Sequence, residues 1–128
     1  MDAAHLLVVD DEPHVSMIIE QACRADGHRV SSARSLGEAR ALLESGDHFD
    51  LVFLDIGLPD GSGLDFVDEL SAADAAKDAP IVILTGAGYD DVLRRAMEAG
   101  ARCVTKPFSP SKLRRLVGEI LNNPADPS

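Results

Sequence analysis

Basic charge is scarce in this chain: 12 lysines and arginines stand against 22 aspartates and glutamates, leaving a net charge of −10 over 128 residues. That deficit argues against wholesale binding to nucleic acid or to an anionic lipid surface. Cysteine is scarce too. Cys23 and Cys103 sit in apolar contexts without CxxC spacing, so buried, reduced thiols are expected rather than a disulfide framework or a zinc site. No run approaches the roughly 20 apolar residues of a membrane span, and the segment opening Met1-Asp2 lacks the basic and apolar regions of a signal peptide. A cytoplasmic location is expected, with no membrane contact and no direct nucleic acid contact by this domain. Apart from an alternation of strands and helices, internal repeats and low-complexity stretches are also missing.

What is present is ordinary material for a folded domain: 45% hydrophobic and 27% charged residues, in a length that fits one sizeable core and not two. The domain is expected over residues 1–121. Residues 122–128, with two prolines and no apolar stripe, read as a flexible tail or the start of a linker.

Three apolar runs, Leu6–Val9, Leu51–Leu54 and Ile81–Leu84, have the length and β-branched content of buried strands. Two weaker ones, Arg29–Ala33 and Arg102–Thr105, mix polar with apolar residues and suit the sheet edges. Between them, apolar residues recur at helical spacing. The stripes are Val15, Ile18, Ile19, Ala22, Cys23; Leu36, Ala39, Leu42, Leu43; Leu64, Val67, Leu70; Val92, Leu93, Ala96, Met97; and Leu113, Leu116, Val117, Ile120, Leu121. Asp11 and Ser109 are placed to cap the first and last helices, each just ahead of a proline in the opening turn. Gly27, Gly46 and Gly100 fall where helices one, two and four should stop. Five βα units in strict alternation predict an α/β flavodoxin-like (βα)5 doubly wound sandwich, with a parallel five-stranded sheet of order 2-1-3-4-5.

In such a sheet ligands gather beyond the carboxyl ends of the strands, at the switch point between strands one and three. Asp10 and Asp11 end the first strand and Asp55 ends the third. Three clustered anions repel one another unless a cation joins them, and a hard divalent ion with oxygen ligands, Mg²⁺, is the expected partner. Thr85 and Lys106 end strands four and five and bring a hydroxyl and an ammonium to the same rim. This donor set suits phosphoryl transfer to a carboxylate: Asp55 as nucleophile, Lys106 as compact positive charge, Thr85 as hydrogen-bond donor to a phosphoryl oxygen. Pro107 is a candidate cis peptide. His5, His14, His28 and His48 show no ligand spacing and are expected at the surface.

With Asp10-Asp11-Glu12, Leu54-Asp55, Leu58-Pro59, Gly61, Thr85 and Lys106-Pro107-Phe108 in order, the sequence from about His5 to Asn122 resembles the receiver domain of two-component response regulators. The resemblance implies that a histidine kinase or a histidine phosphotransfer protein donates a phosphoryl group to Asp55. It implies that the backbone carbonyl of Gly57 joins Asp10, Asp11 and Asp55 around Mg²⁺. It also implies a binding module, not a metabolic enzyme, that assists its own phosphorylation and dephosphorylation. Its signal leaves through the surface of helix four, strand five and helix five, toward a downstream protein or an output domain of a longer chain. Asp90-Asp91 and Arg94-Arg95 on helix four are expected on that face.

The chain departs from the family where an aromatic usually stands three residues before the lysine; Cys103 occupies that place and has little volume to report a shift. Tyr89, in the loop after Thr85, is a candidate substitute. Gly57 and Ala87, two residues past Asp55 and Thr85, offer no side chain to steer an attacking water. Two other classes use related parts. Haloacid-dehalogenase-type phosphatases need a second Asp two residues past the nucleophile, where this chain has Gly57. Flavin-binding flavodoxin-like proteins need a phosphate cradle, where this chain has the anionic Asp10-Asp11-Glu12-Pro13. A phosphate-independent receiver-like adaptor is the remaining alternative.

Overall fold

The structure is a computed structural model that describes residues 3–86, Arg94, Glu98, 102–106 and 108–122. Its strands and helices run in the order β1 (His5–Val9), α1 (Pro13–Ala25), β2 (Arg29–Ala33), α2 (Leu36–Leu43), β3 (Leu51–Asp55), β4 (Gly57–Leu58), β5 (Gly61–Ser62), α3 (Gly63–Ala72), β6 (Ile81–Thr85), β7 (Arg102–Thr105) and a C-terminal helix (Pro110–Asn122). The main sheet has the order β2-β1-β3-β6-β7 with every neighbour parallel. With the two-residue strands β4 and β5 set aside, this is the expected 2-1-3-4-5 sheet. The fourth apolar stripe, Val92 to Met97, and Gly100 lie outside the described residues, although Arg94 and Glu98 are helical.

Strand side chains alternate between faces, so an unbroken apolar run is buried on both. Leu6, Val8, Leu51, Phe53, Val82 and Leu84 face one way, against Val15 and Ile19 of α1 and Leu113, Val117 and Ile120 of the C-terminal helix. Leu7, Val9, Val52, Leu54 and Ile83 face the other, against Leu36 and Ala39 of α2 and Phe66 and Leu70 of α3. Helices therefore cover both faces, while β2 and β7 form the edges as their mixed composition predicts.

Several local features differ from the sequence reading. The residue at the N-cap of α1 is Glu12, whose side chain makes no capping bond; Asp11 does not cap. The carboxylate serving that turn is Asp10, whose Oδ1 accepts a hydrogen bond from Glu12 N at 2.9 Å. Ser109 does cap the C-terminal helix, accepting from Lys112 N at 3.1 Å. That helix runs through Asn122, one residue beyond the expected boundary. His14 and His48 are exposed, but His5 and His28 are buried. Each buried imidazole has a polar partner: His5 Nε2 lies 2.7 Å from Ser31 Oγ, and His28 Nδ1 accepts from Ala4 N at 3.0 Å. Both cysteines are free; Cys23 is buried, whereas Cys103 on the edge strand β7 is only half-buried.

Candidate functional site

Because the strands are parallel and in register, their last residues form one row. Val9 pairs with Leu54, Asp55 with Leu84, and Thr85 with Thr105. The residues that end or follow these strands, Asp10 and Asp11, Asp55, Thr85 and Lys106, thus meet at a single rim. Asp10, Asp55 and Thr85 are buried there and Asp11 is exposed. One carboxylate oxygen from each of Asp10, Asp11 and Asp55 lies within 4.8 Å of the others.

Lys106 is the positive counterpart. Its backbone N donates to Thr85 O at 2.7 Å, which fixes the chain as it leaves β7. Its Nζ lies 2.8 Å from Asp10 Oδ2, 2.9 Å from Glu12 Oε1 and 3.6 Å from Asp55 Oδ1. Burial opposes the charged ammonium, yet the attraction of the Asp10 and Glu12 carboxylates outweighs it and the Lys106 pKa is raised. The hydrogen bond from Lys106 in turn holds the Glu12 carboxyl below its ordinary range.

Negative charge remains in excess. Asp10 Oδ2 is fully buried; the Lys106 ammonium lies 2.8 Å away as an ion pair, and among the described residues no group makes a hydrogen bond to that oxygen. Asp55 Oδ1 receives a long 3.4 Å hydrogen bond from Gly57 N and lies 3.6 Å from Lys106 Nζ. Its pKa is pushed up to about 6, first by burial and then by the neighbouring Asp10 charge, with Lys106 pulling the other way. A buried carboxylate oxygen without a hydrogen bond among the described residues, beside two further carboxylates, is the arrangement a hard cation completes. Asp10, Asp11 and Asp55 could hold such an ion. The Thr85 hydroxyl, at the same rim, donates to Gly86 O at 3.2 Å.

Three contacts around the site were not read from the motifs, although Glu12 itself belongs to the first of them. Glu12 shares Lys106 with Asp10. Gly63 opens α3 directly against the phosphoacceptor candidate's backbone: a Cβ there would overlap the Asp55 carbonyl oxygen and stand 3.0 Å from Ile56 Cα. Asp60 reaches away from the rim to the start of α2. The close approach at Gly63 has a faint signal in the Gly61-Ser62-Gly63 spacing; the other two contacts have none. Ala87, Tyr89, Asp90, Asp91, Arg95 and Pro107 lie outside the described residues. Beside Lys106 opens a cavity of about 350 Å³, floored by Val15, Ile18 and Phe108.

Residues 6–118 match the family model of the response regulator receiver domain. The response regulator protein PilR of Pseudomonas aeruginosa is 37% identical over 122 residues, covering 94% of this chain and 27% of that protein. The KDP operon transcriptional regulatory protein KdpE of Escherichia coli is 34% identical over 112 residues, 86% of this chain and 48% of that protein. The chain thus spans half or less of the length of these curated relatives. Among solved structures, a putative response regulator from Chloroflexus aurantiacus superposes with a TM-score of 0.83 at 30% identity, covering 95% of this chain and all of that one.

Proposed function

This chain belongs to the response regulator receiver domain family, and we propose that Asp55 is its phosphoacceptor, charged by a histidine kinase or a histidine phosphotransfer protein. The observation that carries the reading is the convergence of Asp10, Asp11, Asp55, Thr85 and Lys106 at one rim of the sheet, with Asp10 Oδ2 left without a hydrogen bond among the described residues. In the transfer, a carboxylate oxygen of Asp55 bonds to phosphorus as the P–N bond to the donor imidazole breaks. The electron pair of that bond stays on the ring nitrogen, and an acyl phosphate results.

Mg²⁺ is the cation that fits, with Asp10, Asp11, Asp55 and the Gly57 carbonyl as its protein ligands; when bound, it supplies neutralising charge to the phosphoryl oxygens. Lys106 contributes a second positive charge, already held beside Asp55 by Asp10 and Glu12. Thr85 offers its hydroxyl to a phosphoryl oxygen once it releases Gly86 O. Burial of Asp55 keeps bulk water from competing for these groups. The groove floored by Val15, Ile18 and Phe108 gives the donor an apolar footing next to Lys106.

The domain spans 1–121 and works as a phosphorylation-controlled binding module in the cytoplasm, not as a metabolic enzyme. Its altered surface is helix four, β7 and the C-terminal helix, read by a downstream protein or by an output domain. Intact mass after incubation with Mg²⁺ and acetyl phosphate tests this. Wild type gains one phosphoryl group, labile to hydroxylamine, while Asp55→Asn and a Mg²⁺-free control gain none. Equal gain in Asp55→Asn contradicts the assignment.

A further inference from the structure

The loop that leaves Asp55 is closed on itself and then tied to a distant element. Within it, Gly57 pairs with Ser62 and Leu58 with Gly61 across the β4–β5 ribbon, and Gly63 N donates to Ile56 O at 3.1 Å. At the tip of the ribbon stands Asp60. Its Oδ1 accepts from Leu36 N at 2.9 Å and its Oδ2 from Gly37 N at 3.0 Å, both at the start of α2. A helix start leaves its first amides without intrahelical partners, and its positive end favours an anion. These two backbone bonds hold the Asp60 carboxyl below its ordinary range.

The bond pattern is more than α2 needs as a helix. Ser35, its own N-cap, already accepts from Glu38 N at 3.1 Å. Asp60 adds a second cap that comes from the loop carrying Gly57, two residues past Asp55. The loop backbone is drawn in tightly at the same place: Gly61 has φ +155°, and a Cβ there would meet Leu36 Cδ1 at 2.8 Å. One end of this small closed unit is thus Asp55 and the other is the amino terminus of α2.

We propose that Asp60 is a positioning residue for the cation site: by clamping the ribbon to the amino terminus of α2, it fixes Gly57 beside Asp55 and couples cation binding to the order of that helix start. The inference rests on the reading of Asp10, Asp11, Asp55 and Gly57 as the Mg²⁺ shell. Coupling of this kind is reciprocal. Loss of the clamp weakens Mg²⁺ binding, and Mg²⁺ in turn protects the Leu36 and Gly37 amides.

Calorimetric titration of the full chain with Mg²⁺, for wild type, Asp60→Ala, Asp60→Asn and Ser35→Ala, tests the first direction. Amide hydrogen exchange of wild type with and without Mg²⁺ tests the second. The expected result is affinity weakened about 5-fold or more in Asp60→Ala, the lower end of ordinary site-to-site coupling. Asp60→Asn, which keeps one acceptor oxygen, falls between it and wild type. Ser35→Ala, which removes the cap on Glu38 N but leaves both Asp60 bonds in place, weakens affinity less than Asp60→Ala does, and Mg²⁺ slows exchange at Leu36 and Gly37. Unchanged affinity in Asp60→Ala, or an equal loss in Ser35→Ala, overturns the inference while the metal site stands. Wild type that binds no Mg²⁺ overturns the metal site itself, and the inference with it.

Discussion

At the amino-terminal ends of the strands the polar groups are paired within the fold: His28 Nδ1 takes Ala4 N, His5 Nε2 meets Ser31 Oγ, and the half-buried Asp50 takes His5 N on its Oδ2 at 2.9 Å. At the carboxyl-terminal ends, three carboxylates crowd within 4.8 Å, one ammonium is divided among Asp10, Glu12 and Asp55, and Asp10 Oδ2 has no hydrogen-bond donor among the described residues. The same β1 and β3 run through both ends, so the contrast is not one of burial or of strand quality. Polar groups that serve the fold are matched within it. Those gathered at the carboxyl rim leave negative charge in excess, which a hard cation could balance.

The contrast is broken most sharply by removing the charge that both the acids and the incoming phosphoryl group use. Lys106→Met is expected to slow Asp55 phosphorylation by acetyl phosphate about 10²- to 10³-fold, the usual cost of losing one oriented charge donor. The rate of mass gain reads this, with the same rate for wild type and for His28→Ala as the control.

Asp55→Asn comes next and acts on stability. Folding raises the Asp55 pKa from 3.8 to about 6, so the ionised carboxylate destabilises the native state. That cost is absent below the unfolded value and complete above the folded one. At neutral pH without Mg²⁺, Asp55→Asn is therefore expected to be more stable than wild type by about 2–3 kcal/mol, at roughly 1.4 kcal/mol per pKa unit. Urea unfolding at a series of pH values shows the gap shrinking below about pH 6 and closing near pH 4. His5 has the opposite sign. Burial first, then the Arg29 charge, lowers its pKa from 6.5, so its contribution is present above that value and lost as pH falls through it. In Asp55→Asn only losses of this second kind remain, and its stability falls more steeply on acidification than that of wild type.

His28→Ala strips a buried amide, Ala4 N, of its acceptor. It is expected to cost about 1–3 kcal/mol of unfolding free energy and nothing in phosphorylation rate. The smallest effect belongs to Arg114, whose pair with Asp26 at 2.6 Å joins the C-terminal helix to the end of α1 at an exposed position. Exposed pairs gain little over their hydrated ions. Arg114→Ala should leave both thermal midpoint and phosphorylation rate unchanged within error.

The sheet and its rim were legible because their signals are local. Leu6–Val9 and Leu51–Leu54 read as doubly buried strands from composition alone, and the residue closing each run falls at the carboxyl edge by geometry. The matched end was not legible. A single histidine carries no periodic signal, so the burial of His5 and His28 depends on Ser31 and Ala4, residues known as neighbours only once β1 and β2 pair. Phe66, fully buried between α3 and the sheet, sits beside the apolar stripe read from Val67 and Leu70 and was missed for the same reason. The Asp60 clamp joins residues 24 apart in the chain. No local propensity encodes such a contact, and the ribbon that delivers it is too short to show alternation.

The unfolding free energies of wild type and Asp55→Asn near neutral pH, each with and without saturating Mg²⁺, test most directly whether the carboxylates are arranged for a cation rather than for the fold. A ligand that binds only the native state stabilises it in proportion to its occupancy. The expected outcome is that Asp55→Asn is the more stable protein without Mg²⁺, and that Mg²⁺ stabilises wild type far more than the variant and narrows or reverses the gap. Wild type equal to or more stable than Asp55→Asn without Mg²⁺, or Mg²⁺ shifting both alike, would contradict the account.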